Sequence, residues 1–249
     1  MIITSVKNEK IKGLRSLNTR KGRREMGLHL IEGERLVFDA LASGIVPDTV
    51  LVAQWNDAVK TRIEGMGIPF TEVTNEIMEA VCDTDSPQGI CAAVKTPDTT
   101  PPAKYPTGLI VALDRIQDPG NLGTVLRTAD AFGAVGILLG EGSADPFSTK
   151  TMRAAMGSTY HIPIWQGVLT QELPLLKEQG FSLVCGHLKG SETLPATGCS
   201  KVLVIGNEAN GASDEVADLC ELYRLPMKGR AESLNAAIAA AILIYKLSE

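Results

Sequence analysis

The sequence lacks the features that mark secreted, membrane-spanning and metal-stapled proteins. Its five cysteines are scattered, with no CxxC pair and no Cys/His spacing suited to zinc, so we expect reduced thiols and no metal site. The N-terminus has no apolar signal segment. The longest uncharged apolar stretch, residues 233–245, is too short to span a bilayer. We therefore expect a cytoplasmic globular protein that does not enter membranes.

A net charge of −5 argues against a nucleic-acid partner, but the charge is unevenly distributed. Residues 1–25 contain eight basic and two acidic side chains, whereas the other 224 residues contain 16 basic and 27 acidic ones. A local site for a polyanion is therefore compatible with an acidic chain. A solvated basic helix explains the same charges equally well. The densest basic cluster consists of Arg20, Lys21, Arg23 and Arg24.

A proline-rich segment divides the chain into two predicted domains. Four of the twelve residues at positions 95–106 are proline, which favours a stiff linker. We predict one domain at 1–95, a linker at 96–106 and a second domain at 107–249. The strand candidates are 28–32, 49–53, 69–73 and 90–94 in the first domain, and 109–113, 135–139, 183–185 and 201–205 in the second.

The alternation of these strands with helical patterns predicts α/β folds on both sides of the linker. The first domain is predicted to be a small α/β sandwich. In the second domain the strands show little polar alternation, which is typical of a parallel sheet covered by helices on both faces. Ligands bind such sheets beyond the carboxyl ends of the strands, where loops lead into helices.

The first motif of chemical interest follows the first strand of the second domain. A turn at Pro119 and Gly120 leads into a helix for which we predict Asn121 as the N-cap. Gly123 and Arg127 share one face of that helix, so the Arg127 side chain leans back toward the strand ends. A guanidinium there suits a phosphate or carboxylate, although an ordinary surface arginine gives the same pattern.

Two further polar loops follow later in the chain. Residues 206–213 form a glycine-bracketed loop with Asn207 and Glu208, which either approaches a ligand or makes a generic strand-to-helix turn. A nearly all-apolar helix is predicted to begin near Ser233, with Ser233 and Asn235 at its start. A helix this apolar is expected to pack against both the sheet and a partner subunit.

Taken in order, these motifs closely resemble the SpoU/TrmH branch of the SPOUT RNA methyltransferases. The resemblance covers residues from about 109 to 247 and rests on N-x-G-x-x-x-R at 121–127, G-N-E-x-x-G at 206–211, and L-P-M with S-L-N at 225–235. Residues 150–157 also look like the family's intervening helix. The N-terminal half resembles, more loosely, the family's substrate-binding domain, which is similar to certain RNA-binding ribosomal proteins; residues 20–24, 31–35 and 86–90 carry this likeness.

The resemblance implies a C-terminal SPOUT-type parallel sheet with a trefoil knot, preceded by a small ribosomal-protein-like α/β sandwich. It also implies a homodimer with sites near the subunit interface, and S-adenosylmethionine (SAM) as cofactor. The implied cofactor-binding residues are Gly206, Asn207, Leu225, Met227 and Leu234. The implied catalytic residues are Asn121, Arg127, Glu208, Ser233 and Asn235. The basic residues Arg20, Lys21, Arg23 and Arg24 become expected RNA contacts.

The implied reaction moves the SAM methyl group to a ribose 2′-oxygen of RNA. A complete N-terminal domain favours ribosomal RNA over transfer RNA. The attacking hydroxyl must lose a proton. In related enzymes the equivalent of Arg127 is assigned as the base, yet a guanidinium normally stays protonated, so gripping a phosphate and stabilising the alkoxide is an equal alternative.

Two other functions fit less well. A dinucleotide-dependent dehydrogenase is disfavoured because residues 119–123 lack the paired G-x-G of its fingerprint, and no such triplet opens another helix. A non-catalytic RNA-binding protein that merely retained the fold is disfavoured by the intact polar residues of all three motifs.

Overall fold

The computed structural model describes residues 2–248, which form two compact units. The first unit contains residues 2–97 and Asp145–Tyr160, and the second contains Asp98–Ala144 and residues 161–248. The sequence pattern instead assigns 145–160 to the second domain. This segment belongs to the first unit because its Phe147 and Met152 are buried in that unit's hydrophobic core.

The elements of the structure alternate between strands and helices through both units. The strands are β1 (Ile2–Ile3), β2 (Leu28–Glu32), β3 (Pro47–Ala53), β4 (Thr71–Val73), β5 (Ile90–Lys95), β6 (Leu109–Leu113), β7 (Gly136–Gly140), β8 (Ile164–Gly167), β9 (Ser182–Ser191), β10 (Lys201–Ile205) and β11 (Glu221–Tyr223). The helices are α1 (Glu9–Ser16), α2 (Arg20–Met26), α3 (Glu34–Ala42), α4 (Asp57–Gly65), α5 (Asn75–Val81), α6 (Pro119–Ala131), α7 (Thr149–Ala155), α8 (Leu169–Glu178), α9 (Asp214–Ala217) and α10 (Ala236–Ser248), with a 3₁₀ turn at Ser158–Tyr160.

The first unit is built on a mixed five-stranded sheet in the order β1-β4-β3-β5-β2. Successive residues of β3 alternate between two hydrophobic clusters: Val50 and Val52 lie in one and Leu51 in the other. Because strand side chains point alternately to opposite faces, both faces of this sheet are covered. The unit is therefore an α/β sandwich, as the sequence predicts, with both faces of its sheet covered.

The second unit contains a six-stranded, fully parallel sheet in the order β11-β9-β10-β6-β7-β8. Every residue of β6 is buried, which is the property that its uninterrupted Leu-Ile-Val-Ala-Leu sequence predicts. Helix α10 packs on α6 and against β6, β9 and β10. This confirms the predicted α/β fold with its parallel sheet.

Two helices begin at residues other than those predicted. Helix α6 begins at Pro119, and Asp118 rather than Asn121 caps it by accepting a hydrogen bond from the Asn121 N–H at 2.8 Å. Proline suits this first position because its missing N–H would be unsatisfied there anyway. Helix α10 begins at Ala236 rather than near Ser233, because the Asn235 side chain accepts hydrogen bonds from the N–H groups of Ala237 and Ile238.

Arg23 departs from its expected role as an RNA contact. It is buried, and its guanidinium donates through Nε and Nη2 to Asp145 at 2.9 and 2.6 Å, and through Nη1 to the Leu17 carbonyl at 2.7 Å. Arg20, Lys21 and Arg24 are exposed on the same helix. Thus only three of the four cluster residues offer charge to a ligand.

None of the helices formed by residues 2–248 combines the length and apolarity needed to cross a membrane. Nor does this range contain a group of three or more His, Cys, Asp or Glu side chains placed to hold a metal ion.

Replacing Arg23 by alanine leaves the largely buried Asp145 carboxylate without its cation. We expect the free energy of unfolding to fall by about 3–5 kcal/mol, as when one partner of a buried ion pair is removed. Arg24→Ala, which removes an exposed cation from the same helix, is the matched control and should cost less than about 0.5 kcal/mol. Urea unfolding followed by circular dichroism compares the two variants, and equal stabilities would contradict the structural role of Arg23.

Candidate active site

The polar loops singled out in the sequence meet at one end of the parallel sheet. The loop after β6 leads to Asn121, the loop after β10 carries Asn207 and Glu208, and the loop after β11 leads to Ser233 and Asn235. Strands β6 and β10 are neighbours in the sheet, with Leu113 and Ile205 in register at their carboxyl ends. The loops that follow these residues therefore emerge side by side.

The Glu208 carboxylate joins the first two loops. It accepts hydrogen bonds from the N–H groups of Gln117 and Asp118 at 3.2 and 3.1 Å, and from the Asn121 amide at 3.0 Å. Burial by itself would raise the pKa of Glu208, but the hydrogen bonds from Asn121 and from backbone N–H groups outweigh it and lower that pKa. Glu208 is therefore a carboxylate, and a hydrogen-bond acceptor only, at neutral pH.

Asn121 extends this contact to the third loop. Its Nδ2 donates to Glu208, and its Oδ1 accepts a hydrogen bond from Asn235 Nδ2 at 3.0 Å. The Oδ1 of Asn235 caps α10. In each of the two amides the NH2 group donates a hydrogen bond and the oxygen accepts one, which fixes the orientation of both side chains.

The Gly206–Gly211 loop is tightly closed. Asn207 and Gly211 exchange two backbone hydrogen bonds of 2.9 Å, and the Asn207 side chain accepts from the N–H groups of Ala209 and Asn210 at 3.0 and 3.2 Å. A Cβ at Gly206 would overlap the backbone of Ala212. Only glycine fits at this position without moving the loop.

Asp114 and Arg115 hold the Gly206–Gly211 loop and Ser213 in place by hydrogen bonds. The sequence motifs do not single out these two residues. The buried Asp114 carboxylate accepts a hydrogen bond from the Ser213 N–H at 2.7 Å and pairs with the Arg115 guanidinium at 3.0 Å. The Arg115 carbonyl accepts a hydrogen bond from Asn207 Nδ2 at 2.8 Å, and Arg115 adopts a left-handed backbone with φ of 57°. A charged residue directly after a buried strand was the only signal in the sequence for this role.

A cavity of about 410 Å³ opens beside these loops. Strand β9, the loops after β10 and β11, and α10 line it. All five predicted cofactor-binding residues contribute to its wall, as do Glu208 and Ser233; the five are Gly206, Asn207, Leu225, Met227 and Leu234. The sequence motifs did not predict the lining residues on β9, which are Gly186, His187, Leu188 and Lys189.

The remaining predicted catalytic residues lie outside the cavity wall. Asn121 and Asn235 adjoin it through their hydrogen bonds to Glu208 and to each other. Arg127 is exposed on α6, and its guanidinium makes no hydrogen bond or ion pair within residues 2–248. The structure therefore groups Asn121, Glu208 and Asn235 and leaves Arg127 available to a ligand.

Comparison with known proteins relates the whole chain to RNA methyltransferases. A family model described as the SpoU rRNA Methylase family matches residues 108–245, and one described as the MRM3-like substrate binding domain matches residues 8–92. The 23S rRNA (guanosine(2553)-2'-O)-methyltransferase RlmP of Bacillus subtilis is 38% identical to this chain, over 98% of each protein.

Solved structures give the same relation. An rRNA methyltransferase from Sinorhizobium meliloti with bound AdoMet (another name for SAM) has a TM-score of 0.87 and 35% identity, over 99% of this chain and 97% of that one. The SpoU methyltransferase AviRb from Streptomyces viridochromogenes, in complex with AdoMet, has a TM-score of 0.85 and 26% identity, over 97% of each chain.

The cavity fits SAM by the chemistry of its lining. Its volume lies in the range of small-molecule sites. Leu225, Met227 and Leu234 supply apolar surface for an adenine ring, and the glycine loop exposes backbone groups for hydrogen bonds. The Glu208 carboxylate at the wall favours a ligand with a positive charge, such as a sulfonium.

Gly206→Ala tests whether the tight glycine loop forms the cofactor site. The added Cβ displaces the backbone of Ala212, so we expect SAM affinity to fall at least about fivefold, as overpacking typically costs ~1–3 kcal/mol. Gly198→Ala is the matched control, because a Cβ there meets no atom within 4 Å. Isothermal titration calorimetry with SAM measures both. Unchanged affinity in Gly206→Ala would show that the cofactor does not depend on this loop.

Proposed function

The chain belongs to the SpoU rRNA methylase family, and we propose that it transfers the methyl group of SAM to the 2′-hydroxyl of a ribose in ribosomal RNA. The observation that carries this proposal is the Glu208–Asn121–Asn235 network beside a cavity suited to SAM. The name of the Bacillus subtilis relative favours ribosomal over transfer RNA. We assign the protein to the cytoplasm, where ribosomal RNA is found in bacteria.

In this proposal the cavity residues hold SAM, which supplies an electrophilic methyl group when bound. Gly206 offers backbone groups and Asn207 forms part of the wall, while Leu225, Met227 and Leu234 enclose the adenosine. Glu208 faces the same cavity as a carboxylate. Since its oxygens already accept several hydrogen bonds, we assign it the electrostatic support of the cofactor and the positioning of Asn121, rather than proton abstraction.

We assign the contacts with the target ribose and its neighbouring phosphate to Ser233 and Arg127. Ser233 is exposed at the cavity wall, where its hydroxyl can hydrogen-bond the ribose. Arg127 carries an exposed guanidinium that has no partner within residues 2–248, which suits the phosphate next to the target ribose. We assign it as the phosphate clamp that stabilises the developing alkoxide, because a guanidinium holds its proton too tightly to serve as a ready base. The 2′-hydroxyl proton then passes to solvent water as the oxygen takes the methyl group, and S-adenosylhomocysteine leaves as the second product.

RNA is held in addition by exposed basic residues of the first unit. We assign this role to Arg20, Lys21 and Arg24 on α2, whose side chains point to solvent. The description of the family model matched by residues 8–92, a substrate binding domain, supports this assignment.

Transfer of labelled methyl from SAM to unmodified ribosomal and transfer RNA tests the proposal. Alkali cannot cut next to a 2′-O-methyl group, so we expect the label in alkali-resistant dinucleotides of ribosomal RNA. Arg127→Ala should lower turnover by about 10²–10³-fold, as when one electrostatic donor to a transition state is lost, and should retain SAM affinity. Lys177→Ala, which removes an exposed cation from α8, is the matched control.

The outcomes separate the alternatives. Near-normal turnover in Arg127→Ala would refute the assignment of that residue. SAM binding without methyl transfer to any RNA would favour a non-catalytic RNA-binding protein that kept the fold.

We propose further that the protein is a homodimer joined through α10. This helix exposes Ile238, Ile242 and Tyr245, spaced three or four residues apart on one face, and Phe132 of α6 contacts Tyr245 with ring centroids 5.5 Å apart. Such a contiguous apolar surface is typical of a subunit interface. The trefoil knot is part of the same proposal. It is supported by the path of the chain, which leaves the edge strand β11 and returns in α10 to the central strands β6 and β10.

Ile238→Asp tests the dimer. Half of the Ile238 surface is exposed, so the change should leave the fold of one subunit intact while placing a charge in the interface. We expect the mass measured by light scattering to fall from that of a dimer to that of a monomer. Leu175→Asp, at an equally exposed apolar residue of α8, is the control and should remain dimeric. A monomeric wild-type protein would overturn the proposal.

A further inference from the structure

A second cavity, of about 340 Å³, lies entirely within the first unit. Three segments form its wall: the turn from β2 into α3, the loop from α5 to β5, and α7. Its lining residues include Glu32, Arg35, Leu36, Ser86, Met152 and Arg153. None of the proposed catalytic or cofactor-binding residues lines it, so the reaction described above leaves this cavity unexplained.

The wall of this cavity is held in place without a ligand. Gln88 Oε1 accepts a hydrogen bond from the Glu34 N–H at 3.0 Å, and Asn56 Nδ2 donates to the Gln88 carbonyl at 3.0 Å. Gly33, with φ of 89°, leaves room for the Gln88 side chain, since a Cβ there would lie 2.7 Å from Oε1. These contacts join the β2–α3 turn to the loop before β5. The cavity is therefore preformed, as ligand sites usually are.

The interior of the cavity suits a flat, mostly apolar group with hydrogen-bonding edges. Leu36, Met152 and Met156 supply apolar surface, and methionine sulfur is a favourable neighbour for an aromatic ring. Glu32 adds an acceptor; it is almost fully buried and accepts hydrogen bonds from the Asp83 N–H at 2.8 Å and from Arg153 at 3.4 Å. The exposed hydroxyl of Ser86 stands in the lining as well.

Charged side chains of both signs border this apolar interior, where Arg35 and Arg153 lie beside the carboxylates of Asp39 and Glu32. The Arg35 side chain is 72% exposed, and its nearest carboxylate, Asp39, is 3.7 Å away and also open to solvent. Arg153 contacts Glu32 and Asp83 only at 3.4 and 3.6 Å and keeps a third of its side chain exposed. The exposed Arg35–Asp39 pair contributes little, so the Arg35 guanidinium can turn to a phosphate. Arg153 instead keeps its pairing with the buried Glu32 carboxylate, because removing the cation from a buried carboxylate is costly.

We propose that this cavity binds one unpaired nucleotide of the RNA substrate, with the base against Leu36, Met152 and Met156 and the phosphate on Arg35. Proteins that recognise RNA by sequence take hold of bases in loops and bulges that are splayed out of the helix. That the bound nucleotide belongs to RNA rests on the proposed function, whereas the nucleotide site itself rests on the lining of the cavity alone. A free nucleotide is the other source of the same chemistry.

Methyl NMR detects the site directly, without methyl transfer. The protein, labelled at its methionine methyl groups and saturated with S-adenosylhomocysteine to fill the cofactor cavity, is titrated with GMP, AMP, CMP and UMP. We expect at least one of them to shift the Met152 and Met156 signals saturably while Met227, in the cofactor cavity, stays unchanged. Ser86→Trp, which places a bulky ring at an exposed lining residue, should abolish these shifts. Thr61→Trp, on exposed α4 outside the cavity, should preserve them.

Whether the bound nucleotide belongs to RNA is tested by measuring methyl-transfer kinetics on the same two variants. Ser86→Trp should raise KM for RNA at least about tenfold with kcat retained, because losing one stacked base typically weakens binding by that order. Thr61→Trp should match the wild type. No shift at Met152 and Met156 with any nucleotide would overturn the site itself. Shifts combined with an unchanged KM would overturn the RNA source in favour of a free nucleotide. A wild type without methyl transfer would refute the proposed function but leave the NMR result standing, and the dissociation constant for RNA would then replace KM.

Discussion

The hydrogen bonds accepted by the Glu208 carboxylate hold the functional end of the parallel sheet together. Three loops, which follow three different strands, reach this point. Glu208, on the loop after β10, accepts hydrogen bonds from backbone N–H groups of the loop after β6 and from the Asn121 amide. Asn121 in turn accepts a hydrogen bond from Asn235, at the start of α10. Hydrogen bonds to an ionised group are stronger than neutral ones, so a single charge orders all three loops.

The fold could be predicted from the sequence wherever strands are apolar and sharply bounded. Strands β2, β6 and β10 have the predicted limits because polar or turn residues flank each apolar run. Strand β9 is longer than predicted, since its polar second half, ending at Ser191, is held by pairing with β11 rather than by burial. Helix α8 contains Pro174, a residue that argues against a helix interior when the sequence is taken alone.

The candidate site was predictable in its residues but not in all of their roles. The order of the motifs brought Asn121, Glu208 and Asn235 into one hypothesis, and the structure places them in hydrogen-bond contact. Local pattern could not show that Asp118 takes over the capping of α6, which frees the Asn121 side chain to bridge two loops. For the same reason a run of charge could not separate Arg23, which is buried against Asp145, from its exposed neighbour Arg24.

The rigidity of this site limits what it can recognise. Arg115 holds a left-handed backbone, a conformation that costs roughly 1 kcal/mol or more and persists only where neighbours enforce it. Asp114 and Asn207 enforce it, and the polar atoms of Glu208, Asn121 and Asn235 are likewise bound to one another. A site whose polar groups are already paired can position a ribose and a phosphate, but it has few groups left to read a base. Discrimination among RNA nucleotides must then come from other surfaces, and the preformed cavity of the first unit has the acceptor, the apolar walls and the exposed Arg35 guanidinium that such recognition requires.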